Sequence, residues 1–110
     1  TQIEAGNSHT CALTENGDIL CWGLAYYGQL GYGNMDTVGG NNTPASVGIV
    51  PLGHEAVQIS AGASHTCALL DNDEVKCWGL AGDGQIGYGN TENIGDNETP
   101  DSVSVVIVFE

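Results

Sequence analysis

A histidine and two cysteines occur in the same order and spacing in each half of the chain. The two sets are His9, Cys11 and Cys21, and His65, Cys67 and Cys77. Zinc prefers such ligands, so each set could hold a zinc ion, although neither has an evident fourth ligand. The cysteines could instead form disulfides or remain reduced thiols, and the histidine could serve as an acid or base. No nucleophile and orienting group surround either histidine in sequence, so catalysis is not predicted.

The two sets belong to a longer internal repeat. Residues 2–52 align without gaps on residues 58–108, and about thirty of about fifty positions are identical. The chain is therefore predicted to hold two copies of one unit, residues 1–52 and 58–110, with residues 53–57 as the joint. A histidine present in each copy is expected to have a structural role, as a buried imidazole bonded to neighbouring backbone.

Each pair of cysteines flanks a short turn that is typical of a β-hairpin. In the first copy the turn contains Asn-Gly, and a three-residue loop places Gly17 in the left-handed region. In the second copy Asp73 takes that position, and aspartate also enters the region readily. This register sets the cysteines of each copy opposite each other. It predicts two cross-strand disulfides, Cys11–Cys21 and Cys67–Cys77, which imply an oxidising compartment.

No segment shows helical periodicity over a useful length, so the chain is predicted to be all-β. Each copy contains about four short strands, which is the strand count of a propeller blade. After the hairpin a Gly-rich loop leads to a proline, and the proline is expected to open the last strand. These last strands are Ser46–Val50 after Pro44 and Ser102–Val108 after Pro100. The predicted fold is thus two four-stranded blades of a β-propeller.

The charge balance excludes some classes of partner. The chain has 14 Asp and Glu residues, one Lys and no Arg, which gives a formal net charge of −13. Nucleic-acid binding needs basic residues to neutralise phosphates, so it is not expected. An anionic membrane surface would repel the chain, and no apolar run approaches about 18 residues. The acidity is typical of a protein that stays soluble outside the cell or in salty water.

The loops at residues 34–43 and 90–99 carry most of the other oxygen-bearing side chains. These are Asp36, Asn41, Asn42, Glu92, Asp96, Asn97 and Glu98. Calcium takes six to eight oxygen ligands, but the spacing is not that of an EF-hand, so solvated turns are favoured over a calcium site. Asn41-Asn42-Thr43 and Asn97-Glu98-Thr99 also fit the glycosylation acceptor pattern, which the following proline weakens.

These repeated elements resemble the regulator of chromosome condensation repeat. Its pattern has a strand ending in Ala-Gly, then His-Thr-x-Ala-Leu, Trp-Gly, and Gly-Gln-Leu-Gly before a proline. The first copy has Ala5-Gly6, His9–Leu13, Trp22-Gly23, Gly28-Gln29-Leu30-Gly31 and Pro44; the second has Ala61-Gly62, His65–Leu69, Trp78-Gly79, Gly84-Gln85-Ile86-Gly87 and Pro100. The resemblance implies a β-propeller. Both tryptophans are expected to pack between blades rather than to stack on a ligand.

The resemblance also bears on function and location. The paired cysteines and the Gly-Tyr-Gly-Asn…Thr-Pro loop are similar to those of bacterial, exported members, which implies an extracellular or periplasmic protein. The chain has two repeats and lacks the basic surface and insertions of the nuclear member that acts on a small GTPase, so nucleotide exchange is not expected. Other members bind proteins.

We therefore expect a non-catalytic scaffold and protein-interaction unit with no cofactor. Its open flanks would be covered by further repeats of a longer chain or by other copies in a homo-oligomeric ring, and an unknown protein ligand is a further partner. The alternative is a metal-binding module for zinc or calcium, or an enzyme, that uses the histidine and cysteine sets.

Overall fold

The computed structural model describes residues 2–40, 42–80, 93–96 and 98–102. The described residues form two three-stranded antiparallel sheets, with strand orders β1-β2-β3 and β4-β5-β6. The strands are β1 (Gln2–Ala5), β2 (His9–Leu13), β3 (Ile19–Gly23), β4 (Ala56–Ala61), β5 (His65–Leu70) and β6 (Val75–Gly79). The predicted all-β class is confirmed. None of the helices among these residues is long and apolar enough to cross a membrane.

Both hairpins have the predicted register. Cys11 lies opposite Cys21 in the β2–β3 pair, and Cys67 lies opposite Cys77 in the β5–β6 pair. The turn residue is left-handed in both copies, with φ of 82° at the glycine of the first turn and 68° at Asp73 in the second. The alternation of the strands and the turn chemistry therefore specify the same pairing.

The prediction of a fourth strand at Ser46–Val50 in the first copy is wrong. The first residues of this segment belong instead to a one-turn helix, α1 (Pro44–Val47). Proline at the start of a helix costs no hydrogen bond, because an N–H at that position would have no partner within the helix. Its fixed φ also suits the helix. Gly48 then ends the turn with a φ of 97°.

The outer edge of β3 is met by two short contacts in place of a fourth strand. Val38 forms an antiparallel bridge with Gly23. The Val50 N–H donates a hydrogen bond to the Ile19 carbonyl at 2.7 Å. In the second copy a 3-10 turn spans Pro100–Ser102, and the rest of the strand predicted there lies outside the described residues.

Each hairpin has two chemically distinct faces. One, the disulfide face, carries His9, Cys11, Leu13, Ile19 and Cys21 in the first repeat and His65, Cys67, Leu69, Val75 and Cys77 in the second. The other, the threonine face, carries Thr10, Ala12, Leu20 and Trp22 in the first repeat and Thr66, Ala68, Lys76 and Trp78 in the second. In β2 the residues of the disulfide face are buried, whereas in β5 the residues of the threonine face are buried. The disulfide face of the first repeat therefore packs on the threonine face of the second.

Candidate interaction site

The contact between the two repeats, called the internal seam below, centres on one hydrogen-bonded chain. His9 Nε2 lies 2.9 Å from Thr66 Oγ1, and Thr66 Oγ1 lies 3.0 Å from the carbonyl oxygen of Gln29. A hydroxyl has a single hydrogen, and the carbonyl can only accept. Thr66 therefore donates to Gln29 and accepts from His9, which fixes the proton of the neutral imidazole on Nε2. All three side chains are buried.

The glycine three residues before each histidine makes room for the imidazole ring. A Cβ on Gly6 would lie 2.6 Å from His9 Nδ1, and a Cβ on Gly62 would lie 2.6 Å from Nδ1 of the following histidine. His9 Nδ1 has no hydrogen-bond partner among the described residues. Burial, and then the nearby charge of His65, lower the pKa of His9 below its usual value, so this histidine is neutral at pH 7.

A glutamine side chain makes a second bridge across the internal seam. Gln2 Nε2 donates to the Ile59 carbonyl at 2.7 Å, and the Ile59 N–H donates to Gln2 Oε1 at 3.1 Å. The amide thus satisfies both backbone groups of one residue on the edge strand β4. Beside it, the Asn7 N–H donates to the Ala63 carbonyl at 3.0 Å. Two hydrogen bonds thus join β1 to β4, and a third joins the loops that follow these strands.

The Gly-Gln-Leu-Gly loop of the first repeat lies against the second repeat. A Cβ on Gly31 would come within 2.8 Å of Trp78 Nε1. Gly28 has a φ of 78°, and a Cβ there would lie 2.7 Å from the Ile94 carbonyl oxygen. Gln29 is buried, and its Oε1 accepts a hydrogen bond from the Tyr27 N–H at 2.8 Å. The corresponding Gly84, Gln85 and Gly87 lie outside the described residues.

The two tryptophans have different surroundings. Trp78 is fully buried between the repeats. Trp22 is half-buried on the threonine face of the first repeat. His65 is likewise half-buried where His9 is buried. The same residue types are thus covered at the internal seam and partly open at the ends.

All four cysteines are joined in pairs. The sulfur atoms of Cys11 and Cys21 are 2.05 Å apart, and those of Cys67 and Cys77 are 2.00 Å apart. Bonded sulfurs are not zinc ligands, and His9 already donates to Thr66. Among residues 2–40, 42–80, 93–96 and 98–102, no three His, Cys, Asp or Glu side chains are placed to hold a metal ion.

Several polar residues of this region were not predicted as site residues. Thr66 and Gln2 are two of them, and their recurrence in the other copy as Thr10 and Gln58 was an available signal. Tyr32 is another: its hydroxyl donates to the Gly48 carbonyl at 2.8 Å and accepts from the Cys21 N–H at 3.1 Å. Burial raises the pKa of this phenol.

Lys76 also escaped prediction, because a lone basic residue in an acidic chain gives no pattern. It is 7% exposed, and its Nζ donates to the Pro100 carbonyl at 2.9 Å. An ammonium group is buried in a protein only with such partners. Lys76 therefore connects β6 to the 3-10 turn at Pro100–Ser102.

Each end of the molecule presents an open sheet face with a shallow cleft. At one end, a cleft of about 550 Å³ lies over the threonine face of the first repeat and is lined by Ile3, Ala12 and Thr14 among others. At the other end, a cleft of about 270 Å³ lies over the disulfide face of the second repeat, next to Cys67 and Leu69. Ile3 is 69% exposed.

Two sheets that stack face to face, with their first strands side by side at the contact, match the arrangement of neighbouring blades in a β-propeller. The comparison with known repeats defines the class further. Residues 1–29 and 56–85 match the regulator of chromosome condensation (RCC1) repeat, and residues 16–69 match the same repeat in another frame. The chain belongs to this family, as its motifs predicted.

Similar proteins are much longer than this chain. Human E3 ubiquitin-protein ligase HERC2 is 38% identical over 92 residues, which cover 82% of this chain and 2% of that protein. The ultraviolet-B receptor UVR8 of Arabidopsis thaliana is 37% identical over 92 residues, which cover 83% of this chain and 20% of that protein. The structure of Prp20p from Saccharomyces cerevisiae matches with a TM-score of 0.61 at 28% identity, over 99% of this chain and 25% of Prp20p. The chain thus spans a fifth or less of the curated relatives.

Proposed function

We propose that this chain is a non-catalytic β-propeller unit that acts as a scaffold and binds protein surfaces through its two end faces. Residues 1–52 and 58–110 are its two blades, and the repeated histidine, tryptophan, glycine and glutamine residues have structural roles within them. One observation carries the proposal. Faces of the same sequence type are buried at the internal seam and open at the ends, where Ile3 is 69% exposed.

The open faces have the chemistry of a protein-binding surface. The surface that lines the two clefts is mainly apolar, and apolar surface open to solvent favours contact with another protein surface. The opposite reading, a catalytic cleft, finds no support in them, because their lining contains no histidine and no free thiol. Prp20p, which shares the fold, binds Gsp1p and histones. Protein binding is therefore the activity that this fold and these faces support best.

Because the chain is built from repeats, two kinds of polypeptide could pack on its end faces. Further repeats of a longer chain are one, and the much greater length of the relatives supports it. Other copies of this chain are the second. Propellers close with about four to eight blades, so three chains of two blades would complete a ring of six, and four chains would complete a ring of eight. We propose four chains, because the family resemblance implies a propeller of usually seven blades, and the rotation per blade in such a propeller is nearer to that of eight blades than to that of six.

The proposed location is extracellular or periplasmic. Two disulfides form between opposed strand residues, and such bonds persist in oxidising compartments. The net charge of −13 suits solubility there. No nucleic-acid or membrane partner is proposed, because a single Lys cannot neutralise several phosphates.

Metal analysis together with a thiol count on the purified chain tests this function against the metal-binding or enzymatic alternative. We expect no bound zinc or calcium and no free thiols before reduction. Bound zinc together with free thiols would support the alternative and overturn the proposal.

A further inference from the structure

We propose that the disulfide face of the second repeat binds the threonine face of the first repeat in a second copy of this chain, in the register of the internal seam. The inference rests on the proposed function and names the partner surface. It assigns a hydrogen bond from His65 Nε2 to Thr10 Oγ1 of the second copy. It also assigns a two-point bridge from the Gln58 amide to the backbone N–H and carbonyl of Ile3 in that copy.

The internal seam supplies the template for this contact. Four residues make two of its hydrogen-bonded contacts: His9 bonds to Thr66 through the two side chains, and the Gln2 side chain bonds to the backbone of Ile59. Each has an identical residue in the other repeat. The equivalents at the ends are His65, Thr10, Gln58 and Ile3. The groups that the internal seam pairs are therefore present at the two ends, one set on each face.

The apolar parts of the two ends also correspond to surfaces that already pack together. Ile59 is 2% exposed at the internal seam, whereas Ile3 is 69% exposed. Ala68 is 2% exposed, whereas Ala12 lines the open cleft of about 550 Å³. Covering these side chains removes apolar surface from water, which favours association. Association in this register thus buries the equivalents of apolar side chains that are already buried at the internal seam.

The two threonine faces differ markedly at two positions. Fully buried Leu70 of the second repeat corresponds to Thr14 at the open end, which lessens the apolar contact there. The other difference favours association. The position of buried Lys76 is occupied by Leu20 at the open end. The ammonium group of Lys76 is buried with a hydrogen bond to the Pro100 carbonyl. Leu20 has no polar group to satisfy, so its burial under a second copy requires no hydrogen-bond partner.

The proposed contact joins unlike faces, so it is head-to-tail. After one contact the pair of copies keeps one free face of each kind, which permits a closed ring or an open chain of copies. A contact between two like faces would instead stop at a dimer. This difference in stoichiometry makes the proposal testable.

The test uses two full-length variants, each with one blocked face. Ala12→Arg blocks the threonine face of the first repeat, and Leu69→Arg blocks the disulfide face of the second. Circular dichroism and an unreduced thiol count establish that both variants fold. Light scattering is then expected to give about 11.3 kDa for each variant alone and about twice that mass for an equimolar mixture. Dimers of one variant alone would overturn the head-to-tail contact.

A second pair of variants tests the register. Gln58→Ala is expected to weaken association of the unblocked chain about tenfold or more, since it removes two hydrogen bonds of about 0.7 kcal/mol or more each. Gln2→Ala, the matched change at the internal seam, is expected to lower folding stability instead. Unchanged association of Gln58→Ala would overturn the register. If the unblocked chain is folded and monomeric, the whole inference is overturned, and the proposed function remains with further repeats of a longer chain covering the end faces. Bound zinc together with free thiols would overturn the proposed function itself.

Discussion

His9 of the first repeat donates to Thr66 of the second across 2.9 Å, 57 residues apart in sequence. Thr66 has no spare hydrogen, because its hydroxyl donates to the Gln29 carbonyl at 3.0 Å. One small side chain therefore orders a strand of the first repeat, a strand of the second and the loop between β3 and α1. Because Thr66 lies at the centre of the internal seam, we expect its substitution to destabilise the fold more than substitution of the other polar residues there.

Thr66→Val is expected to lower the free energy of unfolding by about 1–3 kcal/mol. Valine matches threonine in shape but leaves the His9 N–H and the Gln29 carbonyl buried without their partner. Urea unfolding of dilute protein, followed by tryptophan fluorescence, measures the loss. Thr10→Val is the matched control, because Thr10 is half-buried on an open face, and its effect is expected to stay within about 0.5 kcal/mol. Equal losses in the two variants would contradict this account of the internal seam.

Stability is expected to fall as the solution is acidified below about pH 6.5, the usual histidine pKa. Burial, and then the charge of His65, lower the pKa of His9 in the folded chain. The unfolded chain therefore binds the proton more tightly, so protonation favours unfolding. The stabilisation is complete above about pH 6.5 and is lost as the pH falls toward the lower folded pKa.

Urea unfolding at several pH values compares three proteins. His9→Gln, whose amide can still donate toward Thr66, is expected to show a smaller loss in acid than the unmodified chain. His54→Gln is the control, since His54 is exposed on the surface beside Asp71. It should retain the loss. Identical pH profiles for the unmodified chain and His9→Gln would show that another group titrates.

The sequence was sufficient to predict the hairpins because their determinants are local. A period of two and a left-handed turn residue place Cys11 opposite Cys21 whatever the rest of the chain does. The strand predicted after Pro44 is wrong because its local pattern does not decide between strand and helix. A proline after an extended threonine starts a strand or a helix equally well, and the choice of α1 depends on contacts beyond the local pattern.

The internal seam could be predicted only in part. Repetition marked His9 and Trp78 as structural, but it did not name their partners. The acceptor Thr66 and the bridge from Gln2 to Ile59 depend on which faces of two distant hairpins meet. The requirement for Gly6 likewise appears only once the imidazole of His9 lies against it.

Alanine substitutions at three glycines separate backbone strain from steric contact. Gly40→Ala is expected to change stability by less than about 0.5 kcal/mol, because its φ is ordinary and no atom lies within 4 Å of the new Cβ. Gly48→Ala has the same free space but a φ of 97°, so it is expected to lose about 1–3 kcal/mol. Gly28→Ala adds contact with the Ile94 carbonyl to a φ of 78°, so its loss should be the largest. Thermal unfolding gives the ranking, and any other order would contradict the close approach of this loop to the second repeat.

The two disulfides are expected to differ in their rates of reduction. Cys11 and Cys21 are both fully buried at the internal seam, whereas Cys67 is half-buried on the open disulfide face. Reduction requires a thiolate to reach one sulfur atom, so Cys67–Cys77 should be cleaved first. Brief treatment with a mild thiol, alkylation and peptide mapping measure the two rates.

The concentration dependence of the same measurement reports on the proposed contact between copies. If the disulfide face of the second repeat is covered by a second copy, reduction of Cys67–Cys77 should slow as the protein is concentrated, while the rate at Cys11–Cys21 stays unchanged. Leu69→Arg, which blocks that face, is the control and should show no such dependence. Faster cleavage of the buried pair at all concentrations would contradict the assignment of the buried and open faces.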